Sequence, residues 1–132
     1  MNERRAQHSD DAPCRVAVCD DVAAFRELLV TIFQTTADLA VVGEAANGLE
    51  AVALAQETQP DVMVLDLAMP VMDGFVALPL IREASPECKV VVLSGFSAEV
   101  KERALSLGAH SYLEKGALPR AIVEAVRAAY AE

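Results

Sequence analysis

Five short apolar runs, each followed by a longer amphipathic segment, most narrow what this chain can fold into. They are Arg15 to Cys19, Leu39 to Ala45, Asp61 to Leu65, Lys89 to Leu93 and Ser111 to Leu113. All are short and the first four are rich in valine, the signature of strands rather than helices. The segments between them carry helical periodicity: Phe25, Leu28, Leu29, Ile32 and Phe33 make one stripe within residues 22–35. Asn47-Gly48 predicts a helix start, with Asn47 as the cap and Glu50 placed to return toward it. Gln59-Pro60 ends that helix. Met69-Pro70 and Asp73-Gly74 mark a turn-rich loop, after which a helix runs to about Ala84 and should be kinked or interrupted at Pro79. Ser97 caps a predicted helix over 98–107, Gly108 closes it, and a last helix covers 118–131. Strict β–α alternation predicts an α/β domain, a doubly wound (βα)5 with a parallel five-stranded sheet and helices on both faces. Val62 to Leu65 and Val90 to Leu93 are apolar throughout, as strands buried on both sides must be.

At 132 residues and 54% hydrophobic content the chain is one domain with a real core. Residues 1–13 are polar and predict a flexible N-terminal arm ahead of a domain spanning 14–132. The charge of −9 argues against nucleic acid and anionic membrane surfaces as partners. No stretch is long and apolar enough to span a bilayer, and the N-terminus lacks the apolar middle of a signal peptide. Cys14, Cys19 and Cys88 form an odd set without Cys-x-x-Cys spacing. Reduced thiols and a cytoplasmic location follow as expectations.

The functional signal is where the polar residues fall. A parallel sheet presents its ligand site at the carboxyl ends of its strands. Here the first run ends in Asp20-Asp21, the third in Asp66, the fourth in Ser94 and the fifth reaches Lys115. Taken singly, the acids would cap a helix, Ser94 would be a turn residue and Lys115 a surface lysine. Together on one edge they make an acidic site of three carboxylates and one ammonium. Like charges about 4 Å apart repel by about 4 kcal/mol at an effective dielectric near 20, so the site calls for a further cation. Hard oxygen ligands without histidine or thiolate favour Mg²⁺, which is commonly shared with phosphate oxygens. Asp66 is then a candidate phosphoryl acceptor, with Lys115 and the metal stabilising transferred charge.

Those residues also match a family. Asp20-Asp21, Asp66-Leu-Ala-Met-Pro70 with Asp73-Gly74, Val-Leu-Ser94-Gly95 and Tyr112-Leu-Glu-Lys115-Gly116 resemble the receiver domain of bacterial response regulators over about Arg15 to Ala129. The phrases around Ser94 and Lys115 resemble the branch often fused to a helix-turn-helix output domain. The resemblance implies a flavodoxin-like fold with strand order 2-1-3-4-5. It implies that a sensor histidine kinase phosphorylates Asp66. It implies that Asp21, Asp66 and the backbone carbonyl of Ala68 bind Mg²⁺, with Asp20 acting through a metal-bound water. Lys115 would pair with a phosphoryl oxygen and Ser94 would bind another. Tyr112 would be the switch aromatic. The output face would span about 98–131 and engage a downstream effector or a C-terminal output domain, with a homodimer left open. No turnover enzyme is expected.

Departures carry their own expectations. Gly116 stands where many members have proline, so a trans bond after Lys115 is expected. Neither Ala68 nor Phe96 can orient a hydrolytic water, which predicts slow self-dephosphorylation. An aspartate-nucleophile phosphatase would need an acid at position 68, and a flavin binder would need a phosphate-cradling loop where Asp20-Asp21 stand. A pseudo-receiver that is never phosphorylated is the remaining alternative. The end at Glu132 fits a stand-alone receiver and a piece of a longer regulator equally.

Overall fold

A computed structural model describes residues 12–95 and 99–132. The expected arm therefore falls almost wholly outside the described residues, as do Phe96 and the expected cap Ser97. Among the described residues ten elements alternate: β1 (Cys14–Cys19), α1 (Ala23–Gln34), β2 (Leu39–Ala45), α2 (Gly48–Thr58), β3 (Val62–Leu65), α3 (Gly74–Ala84), β4 (Lys89–Ser94), α4 (Glu99–Ser106), β5 (Ser111–Glu114) and α5 (Pro119–Ala131). All strand pairs are parallel and the sheet order is β2-β1-β3-β4-β5, as the resemblance implied.

The period-2 geometry of strands splits the core in two. Val16, Val18, Val62, Val64, Val91 and Leu93 pack under α1 and α5, against Leu29, Phe33, Ile122 and Val126. Ala17, Cys19, Met63, Leu65, Val90 and Val92 pack on the other face against Ala51, Ala55, Leu78, Ile81 and Ala104 from α2, α3 and α4. Strands apolar at every position are thus consumed on both sides. Among the described residues no helix is long and apolar enough to cross a membrane.

Two local details position the site. Asn47 accepts from Glu50 N at 2.9 Å, the cap that the spacing predicts, while the Glu50 carboxylate reaches back one residue beyond the cap and accepts from Ala46 N at 2.8 Å. At Gly74 a β-carbon would lie 2.5 Å from both the Asp66 carbonyl oxygen and the Leu67 α-carbon. Only glycine lets the start of α3 press against the loop that follows β3, and Gly74 N bonds Leu67 O at 2.8 Å. Pro79 does not interrupt α3, which is assigned as one helix from Gly74 to Ala84. Its ring lies on the exposed side of the helix, so the core-facing Leu78 and Ile81 keep their packing. No cis peptide occurs among the described residues, in keeping with the trans bond expected after Lys115.

Candidate functional site

β1 lies between β2 and β3, so the connections from β1 and β3 leave in opposite directions and open a crevice at their carboxyl ends. Asp20 and Asp66 stand on its two sides. Backbone bonds fix their height on the sheet: Asp20 N donates to Ala45 O at 3.0 Å, and Asp66 N to Cys19 O at 2.9 Å. Both are 2% exposed. Asp20 Oδ1 accepts from Val22 N at 2.8 Å just ahead of α1, which otherwise has no side-chain cap. Asp66 Oδ1 accepts from Ala68 N at 3.2 Å. Asp21 is exposed, and among the described residues no hydrogen bond or ion pair holds its carboxylate. Even so, one oxygen from each of Asp20, Asp21 and Asp66 lies within 4.8 Å of the other two.

Lys115 comes from the far edge of the sheet. Its backbone N donates to Ser94 O at 2.9 Å, anchoring the start of the β5–α5 loop. Its ammonium reaches back to Asp20 Oδ2 at 2.9 Å and Asp66 Oδ2 at 3.2 Å, and stands 4.9 Å above the Phe25 ring. One ammonium is thus shared by two buried carboxylates. Burial pushes the Asp66 carboxyl above its usual range, and Asp20's charge adds to this; the Ala68 N–H and Lys115 oppose it without cancelling it. For Lys115, burial pulls the other way, yet its bonds to Asp20 and the charge of both acids hold its proton more tightly than usual. Asp21, Val22, Asp66, Ala68, Gly95 and Lys115 line an open cleft of about 350 Å³ beside these groups.

Ser94 is fully buried at the end of β4, and Tyr112 is half-buried on the neighbouring β5. Their hydroxyls share a hydrogen bond, which lowers the affinity of the phenol for its proton; burial first, then Glu114, outweighs it and raises the phenol overall. Cys19 is buried, and burial drives its thiol far up, so it is an apolar filler as its place in β1 suggests. His110 is partly covered and paired with Glu132.

The sequence reading missed two neighbours. Phe25 belongs to the α1 stripe, and nothing in its spacing reveals that its ring lies under Lys115. Arg26 donates from Nη1 to the Asp20 carbonyl at 2.7 Å and from Nε to Glu44 Oε1 at 3.1 Å. Its position six residues after Asp20 was the available signal, though a helix-surface arginine looks the same.

Comparisons with known proteins give the family and the fold. Residues 16–127 match the response regulator receiver domain, and the chain belongs to that family. It is 43% identical over 104 residues to a protein-glutamate methylesterase/protein-glutamine glutaminase of Maricaulis maris, covering 76% of this chain and 26% of that protein. It is 38% identical over 116 residues to the transcriptional regulatory protein YxjL of Bacillus subtilis, covering 87% and 53%. Among solved structures it is similar to the response regulator domain of Thermotoga maritima CheB, with TM-score 0.83, 33% identity, and 91% and 98% coverage. The chain therefore spans between a quarter and about half the length of these curated relatives. The activity in the methylesterase's name belongs to a protein most of which this chain does not match.

Proposed function

We propose that this domain is a phosphorelay receiver in which Asp66 accepts a phosphoryl group from a phosphohistidine of a sensor kinase. One observation carries the reading: the Lys115 ammonium bridges Asp20 and Asp66 with Asp21 beside them, at the strand ends where the sheet order reverses. Three carboxylates and one ammonium leave room for a hard divalent cation. Asp20, Asp21 and Asp66, with the Ala68 carbonyl, are the oxygens that would hold Mg²⁺, Asp20 through a water. When bound, that ion supplies charge neutralisation for the incoming phosphoryl oxygens.

The chain's own residues do the rest. A carboxylate oxygen of Asp66 attacks phosphorus, an O–P bond forms, and the P–N bond breaks with its electron pair going to the departing imidazole, which takes up a proton. Lys115 moves from carboxylate to phosphoryl oxygen, a short shift for an ammonium already 3.2 Å from Asp66. Ser94 exchanges its Tyr112 bond for a phosphoryl oxygen, and Tyr112 follows, so a local charge change reaches β5 and the α4–α5 face. That face would engage an effector protein or an attached output domain. Ala68, exposed at the cleft mouth, offers no polar group to a hydrolytic water, which supports slow self-dephosphorylation. The proposed receiver domain spans 14–132 behind an arm of residues 1–13, and its expected setting is the cytoplasm.

The test is incubation with Mg²⁺ and acetyl phosphate followed by intact mass measurement. A single base-labile phosphoryl adduct is expected, absent in Asp66→Asn. No adduct, together with no binding of beryllofluoride, would point to the unphosphorylated interaction module instead.

A further inference from the structure

Asp21 is the one acid of the trio whose carboxylate nothing among the described residues holds, yet it sits within ligating distance of the other two. Its placement must come from the backbone. The Asp20 carbonyl and the Asp21 N–H belong to one planar peptide unit, so fixing the carbonyl oxygen sets the direction in which Asp21 leaves the chain. That oxygen is held at 2.7 Å by Arg26 Nη1. Arg26 is in turn oriented from the edge strand, with Nε 3.1 Å from Glu44 Oε1 and its side chain 19% exposed. We infer that Arg26, braced by Glu44, is a positioning residue that sets the Asp20–Asp21 peptide and so aims Asp21 at a divalent cation. This rests on the receiver reading, in which the acidic trio holds Mg²⁺.

Charge and positioning make opposite predictions. Arg26 is a cation near a cation site. If it acted through charge alone, removing it would tighten Mg²⁺ binding. If it positions Asp21, removing it loosens binding, as loss of a partner that orients a metal ligand does, typically by tenfold or more. Lysine keeps the charge and one donor for the carbonyl but cannot also bridge to Glu44 in the fork geometry of a guanidinium.

The experiment is calorimetric titration of the unphosphorylated full chain with MgCl₂, for wild type, Arg26→Met and Arg26→Lys, with thermal melts of each. Expected is Mg²⁺ affinity about tenfold weaker in Arg26→Met, and a smaller loss, about threefold, in Arg26→Lys. The Asp21 amide NMR resonance should shift in both metal-free variants. Wild-type affinity or tighter in a folded Arg26→Met overturns the inference. Should Arg26→Met fail to fold, wild-type affinity in Arg26→Lys overturns it equally. Wild type that binds neither Mg²⁺ nor beryllofluoride refutes the receiver reading, and the inference with it. Wild-type binding with unaffected variants refutes Arg26's role alone.

Discussion

Asp66→Asn should stabilise the metal-free protein. The substitution keeps the shape of the site, because the asparagine oxygen can still accept from Ala68 N. It removes one charge from a crowded group. Asp20 and Asp21 each place an oxygen within 4.8 Å of Asp66, a repulsion of at least about 3.5 kcal/mol apiece at an effective dielectric near 20. Asp21 is exposed, so solvent screens its share to about half or less. Lys115, at 3.2 Å, returns about 5 kcal/mol on the same scale. Repulsion and attraction nearly cancel, which leaves the burial of a carboxylate only 2% exposed to tip the balance against the charge. A gain of about 1–2 kcal/mol in the variant follows.

The pH dependence has a definite sign. The folded carboxyl binds its proton more tightly than the unfolded one, so wild-type stability falls as pH rises through the native value. Below the unfolded value of about 3.9 the group is neutral in both states and the variant's advantage vanishes. Urea unfolding in EDTA, followed by circular dichroism from pH 4 to 8, reads this directly. The midpoint should rise by about 0.5–1 M in the variant at pH 7, for a slope near 2 kcal/mol/M. Mg²⁺ at ten times its dissociation constant should return about 1.4 kcal/mol to wild type and less to the variant, closing the gap. A variant equal to or less stable than wild type in EDTA at pH 7, or a gap unchanged at pH 4, refutes the reasoning.

Lys115→Met removes the ammonium that competes for Asp20 and Asp66; Mg²⁺ affinity measured calorimetrically should rise while phosphorylation by acetyl phosphate falls, and weaker Mg²⁺ binding would contradict this. Val71 has φ 69°, a left-handed conformation that a β-branched residue rarely adopts, and its side chain is 79% exposed, so little packing repays the strain. Val71→Asn should therefore stabilise by about 1 kcal/mol and raise Tm by about 3–5 °C, checked by calorimetry, with a fall in Tm counting against it. Gly74→Ala should cost about 2–3 kcal/mol in urea unfolding despite alanine's better helix propensity, because the new carbon meets Asp66 and Leu67 backbone; an unchanged midpoint would show that the loop yields freely.

Most of the architecture was legible in the chain because parallel α/β folds write themselves locally. Val62 to Leu65 is apolar at every position since both faces of β3 are covered, and Asn47 with Glu50 announces a helix start through bonds made within four residues. At Pro79 the sequence left a kink and an interruption open, because it shows a breaker inside a helical stretch; α3 is not interrupted, with Leu78 and Ile81 packed in the core and the ring outside. The acids, Ser94 and Lys115 were legible as strand-end residues, since strand ends of a parallel sheet share an edge.

The order of residues along the chain by itself determined the strand ends, hence that Asp20, Asp21, Asp66, Ser94 and Lys115 meet at one rim. How they meet was settled only by tertiary structure. The lysine divided between two buried carboxylates, the Ser94–Tyr112 hydrogen bond, Phe25 under the ammonium and Arg26 on the Asp20 carbonyl all join positions from different elements. Periodicity reports which side of a strand or helix is buried; distances of about 3 Å between side chains on separate elements depend on register and rotamer, which exist only once the sheet has closed against its helices.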